Sequence, residues 1–332
     1  MILEYVWIDG YDQLRTKIKI QYDDTIPEWN FDGSSTGQAT TEDSEIILVP
    51  VKHYKNPFKK DNNSYLVLCS TYDKNRLPNN RDKALSIFKK YIDEVAWYGL
   101  EQEYFMIDNK TGLPLGYYKE TGKETGKETV KDKYYCSVGA GKAIGRSLAE
   151  EHMNLCLFAH IHLSGINQEV APGQWEFQIG PVFGLDACDD LWMARYILEK
   201  LGEKYDISIN YHPKPLKDKG NFNGSGCHTN FSTQKMRDDD GLETILECMK
   251  KLEDTHSQHI AVYGKHNEER LTGYNETSSI DSFTYSIGGR NCSVRIGNDT
   301  FNSKKGYFED RRPAANMDPY LVCPLILDTF CS

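Results

Sequence analysis

Carboxylates give the chain its clearest chemical pattern. In GLEQEYF, Glu101 and Glu103 stand two apart in a strand-like run, so both side chains face one way. At an effective dielectric of about 20, two unit charges about 4 Å apart repel by on the order of 4 kcal/mol, and a cation between them reverses the sign. In NQEVAPGQWEFQIGP, Glu169 and Glu176 have an odd spacing that one continuous strand would put on opposite faces. Pro172-Gly173 supplies a turn that resets the direction, so both acids can face one site. In NFNGSGCHTNFS, His228, Asn230 and Ser232 recur at period two behind a Gly-rich loop whose backbone can approach a ligand closely. In GYFEDRRP, Glu309 and Arg311 share a face. Each pair alone reads as readily as a solvated strand face, and a lone His as a structural one. Together, five glutamates and one histidine among aromatic and glycine neighbours make oxygen-rich sites with one nitrogen, suited to Mg²⁺ or Mn²⁺ more than to zinc.

Arginines are the second signal: Arg270 in ERLTGYNE, Arg290 and Arg295 in GGRNCSVRIG, then Arg311 and Arg312. A guanidinium holds carboxylates and phosphates through paired hydrogen bonds, which fits a nucleotide phosphate and an amino-acid carboxylate. Other motifs carry less. GAGKAIG (139–145) has the wrong glycine spacing for either a dinucleotide loop or a P-loop. His160 and His162 alternate on a strand, His256 and His259 sit at helical spacing, and both pairs read as structural.

The elements that must position these residues fall into two groups. Residues 2–8 and 15–22 alternate apolar and polar, with a turn at Asp9-Gly10, and apolar runs at 45–50 and 65–72 extend a sheet. The turn-rich stretch DKNRLPNNRD (73–82) places a boundary, giving a small sheet domain over 1–77 and a larger one over 78–332. In the larger part, helix-like stretches (82–96, 140–157, 186–205, 240–265) alternate with strand-like ones (100–107, 159–166, 174–179, 207–211, 226–232, 284–287, 292–296, 305–311), an α+β pattern. KETGKETGKETVKDK (119–133) reads as a solvated loop.

Composition sets the outer limits. Hydrophobic residues make up 39% and charged residues 27% of 332, ordinary globular usage. A net charge of −10 argues against a nucleic-acid partner, and part of that acidity fits cation sites counted without their ions. Nine cysteines, an odd number without CxxC pairs, fit reduced thiols in a cytosol. The N-terminus lacks a basic leader followed by an apolar run, and no stretch approaches the roughly 18 apolar residues of a membrane helix. The expectation is a soluble cytoplasmic enzyme without a membrane partner.

WNFDGSSTGQA, GLEQEYF, YYCSVGAG, QEVAPGQWEFQIGP, NFNGSGCHTNFST, ERLTGYNETS and KKGYFEDRRPAAN follow one another in the order found in glutamine synthetases of the eukaryotic type, and the resemblance covers nearly the whole chain. It implies an N-terminal β-grasp-like domain and a catalytic domain with a curved antiparallel sheet, of the glutamine synthetase/guanido kinase-like kind. It implies ATP-dependent ligation of ammonia to L-glutamate through γ-glutamyl phosphate, with two or more Mg²⁺ or Mn²⁺ ions per active site. One metal site would be Glu103, Glu169 and Glu176, the other Glu101, His228 and Glu309. Glutamate would be gripped by Asn221, Asn223, Gly224, Arg270, Arg290 and Arg311. ATP would meet Glu101, Glu176, Phe177, Gln178, Ile179, Gly180, Pro181, Asn230, Phe231, Ser232, Arg290, Arg295 and Tyr307. Asp32 matches the residue that binds and deprotonates ammonium, Glu276 the flap acid that shields the intermediate, and Arg290 joins them as catalytic.

The resemblance further implies a homo-oligomer, a decamer of two pentameric rings in which Asp32 completes the neighbouring subunit's site. The chain starts almost at VWIDG, without the extra N-terminal segment typical of such members, which bears on ring stacking. GGRNCSVRIG departs from the usual form at Gly289, Asn291, Cys292 and Gly297 while keeping both arginines. Two rival readings stand beside this one: a non-catalytic relative that keeps the fold, and a ligase of the same fold acting on another amine.

Overall fold

The computed structural model describes residues 1–59, 63–117, 134–216 and 222–332. The lysine-rich repeat at 119–133 and Asn221 lie outside the described residues. Five strands, β1 (Ile2–Ile8), β2 (Leu14–Ile20), β3 (Trp29–Asp32), β4 (Glu45–Lys55) and β5 (Ser64–Tyr72), form the first sheet in the order β2-β1-β5-β4-β3. All neighbours are antiparallel except β1 and β5. Leu3, Tyr5, Trp7, Leu48 and Val67 form a core under one face of this sheet.

The second sheet is built around β6 (Trp97–Asp108), with β7 (Leu113–Pro114), β8 (Leu163–Gln168), β9 (Gln174–Phe183), β10 (Ile207–Asn210), β11 (Cys227–Ser232), β12 (Tyr285–Ile287), β13 (Val294–Ile296) and β14 (Phe308–Asp310). Its main order is β12-β13-β14-β11-β6-β9-β8. One edge of β6 pairs with β11 along its first half and with β10 beyond residue 104, so the sheet forks beside Glu103, while β7 extends the opposite edge beyond β9. The helices are α1 (Asn80–Lys90), α2 (Arg146–Phe158), α3 (Gly184–Tyr205), α4 (Gln234–Arg237), α5 (Gly241–Asp254), α6 (His256–Ile260), α7 (Asn298–Ser303) and α8 (Pro319–Cys331). The mixed α+β architecture read from the sequence is the one observed.

Alternation along two strands decides which face carries chemistry. Tyr98, Leu100, Tyr104 and Met106 of β6, with Trp175, Phe177 and Ile179 of β9, are buried in the main core with Leu191, Ala194, Ile197 and Leu198 of α3. The residues between them, Glu101, Glu103, Glu176 and Gln178, therefore face the other way. One polar side chain on the core side, Gln102, is satisfied by Arg195 of α3, whose guanidinium also donates to the Met317 and Ala315 carbonyls. The first sheet is fastened to α3 by Glu4, which accepts from Tyr196, Lys200 and Asn56, and by Lys52 and Tyr54, which both reach Asp190.

Several boundaries differ from the sequence expectation for local reasons. The 140–157 helix begins only at Arg146, because Gly145 sits at φ 87° and Gly139 at φ 108°. The 82–96 helix stops at Lys90, and Val95 is left-handed before β6. The 240–265 segment breaks at Thr255, whose hydroxyl donates to the Lys251 carbonyl. His160, at φ 62°, delays the expected 159–166 strand until Leu163. His256 and His259 are structural: His259 bonds Tyr263 and Thr329, and burial pushes its pKa down to about 4. Among the described residues no helix is long and apolar enough to cross a membrane.

Candidate active site

Register brings the distant acids together. In β6 and β9, Glu103 pairs with Glu176 and Glu101 with Gln178, while across the other edge Glu101 pairs with His228. Asn230 lies opposite Glu309, and Glu309 opposite Arg295. Paired residues project to the same side, so five strands deliver Glu101, Glu103, Glu176, His228, Glu309 and Arg295 to one cleft. Glu169 enters from the β8–β9 hairpin, where its N–H donates to the Gln174 carbonyl. The turn at Pro172-Gly173 does reset the chain, and Glu169 and Glu176 face the same cavity.

Two ligand sets result. Glu103, Glu169 and Glu176 each offer an oxygen, and Glu101, His228 and Glu309 each offer one atom, all within 4.8 Å of one another in each set. In the second set, His228 Nδ1 lies 3.4 Å from both Glu101 Oε2 and Glu309 Oε1. Its Nε2 accepts from Arg270 Nη2 at 3.0 Å, which leaves Nδ1 aimed at the two carboxylates. Burial holds the His228 pKa well below the ordinary range, so the imidazole is neutral and able to ligate.

Crowding of the first set shows in its protonation. Burial raises Glu103 to about 7, against the opposing pull of Arg270 and a hydrogen bond from Gly226 N–H. Burial and then the Glu103 charge raise Glu169 to about 8. Glu176 is pushed well above the carboxylate range by burial, then by Glu101, Glu169 and Glu103. Three acids that cannot all ionise together are what a divalent cation relieves, and an all-oxygen set fits Mg²⁺ or Mn²⁺.

Arginines line the far wall. Arg311 Nη1 donates to Glu309 Oε1 at 2.6 Å and Arg295 Nη1 to Oε2 at 3.2 Å. Arg270 is buried and fixed by the Arg311 and Arg312 carbonyls, beside Asn223 and Gly224. Close approach explains two glycines: a Cβ on Gly224 would meet the Pro213 carbonyl at 2.4 Å, and one on Gly226 would meet Arg270 Nη2 at 2.5 Å. Arg290 and Glu276 face each other at 3.7 Å across the mouth. Asn275 and Glu276 both hold left-handed backbone, φ 53° and 63°, a conformation that non-glycine residues adopt at a cost.

A second recess opens off the first through Glu101 and Gln178, walled by Ile179, Gly180, Pro181, Asn230, Phe231, Ser232 and Tyr307. Trp97 and Arg237 also line it, with the Arg237 guanidinium 4.1 Å from the Trp97 ring. The sequence reading missed both, as it missed Tyr135 and Asn167 in the main cleft. A half-exposed tryptophan opening a strand just before GLEQEYF was the available signal for Trp97. The Phe177 side chain is placed elsewhere: alternation along β9 sends it into the core against Tyr104 and His152, away from the recess. Asp32 sits on the first sheet, capping a turn, and among the described residues it does not line its own chain's cleft. Hydrogen bonds from Ser34 and Ser35 hold its exposed carboxyl below the usual range.

Residues 1–74 match the glutamine synthetase beta-Grasp domain and residues 81–329 the glutamine synthetase catalytic domain. The chain belongs to the glutamine synthetase family. It is 53% identical to a protein of Acanthamoeba polyphaga mimivirus provisionally described as a glutamine synthetase, over 99% of this chain and 94% of that one. It is 46% identical to a Medicago sativa cytosolic isozyme of glutamine synthetase, over 99% and 93%. The cryo-EM structure of the Plasmodium falciparum glutamine synthetase superposes with a TM-score of 0.77 at 16% identity, over 99% of this chain and 71% of that one, a likeness of fold.

Proposed function

We propose that the chain is a glutamate–ammonia ligase that activates the glutamate side chain with ATP and then substitutes ammonia for phosphate. The observation that carries this reading is the convergence of two ligand sets and a wall of arginines on one cleft that opens into a recess of nucleotide size. A carboxylate resists ammonia because oxide would have to leave; phosphorylated, it can lose phosphate instead. Glu103, Glu169 and Glu176 would hold one Mg²⁺ or Mn²⁺, and Glu101, His228 and Glu309 another. Bound there, the ions would supply charge neutralisation for phosphoryl transfer.

The chain's own residues carry the rest. Trp97, Ile179, Pro181 and Ser232 border the recess for the nucleoside, with Asn230, Arg295 and Tyr307 nearer the phosphates. Arg270, with Asn223 and Gly224, faces the α-carboxylate end of glutamate, and Asn221 belongs to the same proposed set. Arg290 and Arg311 lie where negative charge spreads as the γ-phosphoryl group moves. Glu276, poised opposite Arg290, excludes water from the acyl phosphate.

Asp32 would bind and deprotonate ammonium in the neighbouring subunit, since it is exposed and lies away from its own cleft. A site shared in this way makes a homo-oligomer the working form, and two pentameric rings are what the resemblance to eukaryotic-type glutamine synthetases implies. The domain boundary falls at 77/78, just ahead of α1, and the cytoplasm is the proposed location, in keeping with nine unpaired cysteines. Glutamate labelled with heavy oxygen in its side-chain carboxylate tests the route. One labelled atom should pass into phosphate; phosphate without label would refute the acyl-phosphate reading and favour an ATPase on the same fold.

A further inference from the structure

Outside this cleft, a third group of ligating side chains stands on segments that the proposed reaction does not use. His212 follows β10, and His266 and Glu269 flank the short turn that leads into Arg270. One ligand atom from each lies within 4.8 Å of the others. His212 Nε2 is 4.0 Å from Glu269 Oε2, and the two imidazoles lie nearly parallel, 20° apart, with centroids 5.4 Å apart.

That separation is informative. Two imidazoles held by one ion at about 2.1 Å and at a roughly tetrahedral angle have ring centroids about 5 Å apart. We propose that His212, His266 and Glu269 form a binding site for a borderline transition ion of the Zn²⁺ or Co²⁺ class, with water in the remaining position. Two imidazoles and one carboxylate select such ions over Mg²⁺, the reverse of the preference in the all-oxygen set. This inference is independent of the ligase reading.

The supporting frame suits the role. Asn267, between the two groups, is buried and donates to the Arg312 carbonyl, which anchors the turn. His266 holds left-handed backbone at φ 60°. His212 Nδ1 accepts the Lys214 N–H at 3.0 Å. A ligating imidazole carries its proton on the second nitrogen, so ligation through Nε2 must break that bond. An ion here would tie the 212–213 segment, whose Pro213 carbonyl accepts from Ser225, to the residue preceding Arg270.

The test is Co²⁺ uptake by the full chain in excess Mg²⁺, read as bound metal per chain and as visible d–d absorption. Wild type should take up one more equivalent than His212→Gln/His266→Gln, and the spectrum should collapse on adding Zn²⁺. Glu309→Gln should keep this equivalent. His266→Gly, which suits a positive φ, guards against a folding defect in the double variant and should lose the equivalent as well. Unaltered melting and Mg²⁺-supported turnover in the two histidine variants exclude unfolding as the cause. Equal Co²⁺ uptake by wild type and both variants would overturn the proposal.

Discussion

Stripping divalent ions from the cleft should make the protein lose stability as pH rises through neutrality. The oxygens of Glu103, Glu169 and Glu176 lie within 4.8 Å of one another, where each ionised pair repels by about 3 kcal/mol at an effective dielectric of about 20. The folded chain without metal therefore keeps protons, with Glu103 at about 7 and Glu169 at about 8 against 4.5 for an unperturbed glutamate. Between those limits the folded state binds more protons than the unfolded one, so stability falls as pH rises. For Glu103 alone the loss from about pH 4.5 to about pH 8 is about 3 kcal/mol. Thermal melts in a chelator across this window should fall by several degrees more in wild type than in Glu103→Gln. Mg²⁺ should reverse the trend, with the largest rise in melting temperature at the highest pH. Calorimetry in buffers of different ionisation enthalpy should show protons released on Mg²⁺ binding. A chelator-treated wild type whose melting follows the same pH course as Glu103→Gln would refute the reasoning.

Other outcomes follow from the same geometry. Glu309→Ala removes a ligand and leaves Arg295 and Arg311 without their acceptor; initial-rate assays should show turnover reduced by more than about 100-fold. Asp32→Ala should lower ammonia-dependent turnover while calorimetric ATP affinity stays near normal. Mixing refolded Asp32→Ala and Glu309→Ala subunits should restore activity to about a quarter of wild type, the fraction of intact shared sites in a random ring; no recovery from mixed oligomers would place Asp32 in its own chain's chemistry. Asp310→Ala strands the fully buried Arg312 and should destabilise the fold by about 3–5 kcal/mol in denaturant melts.

The shared faces of the cleft residues were more legible than the elements that carry them. Glu101 and Glu103, and His228 and Asn230, declared their shared face through period two, which survives whatever the sheet does beyond it. The odd spacing of Glu169 and Glu176 was resolved by the Pro172-Gly173 turn. What strand periodicity could not supply was pairing: nothing in the sequence says that Glu309 lies opposite Arg295, or that β6 forks at Glu103. The helix α8 was missed because PYLVCPLILDTFC is apolar on nearly every side and contains Pro324, so it shows no amphipathic period. Trp97 and Arg237 were missed because their role depends on a stacking contact between segments 140 residues apart. His212 and His266 stand apart in sequence and meet only through the fold.

Ammonia-dependent phosphate release from ATP, with glutamate and Mg²⁺ present, is the measurement that bears most directly on the account. The assembled protein should release phosphate and form glutamine in equal amounts, ammonia should be preferred over alkylamines, and omission of glutamate should stop the reaction. Phosphate release indifferent to ammonia, or faster turnover with another amine, would contradict it.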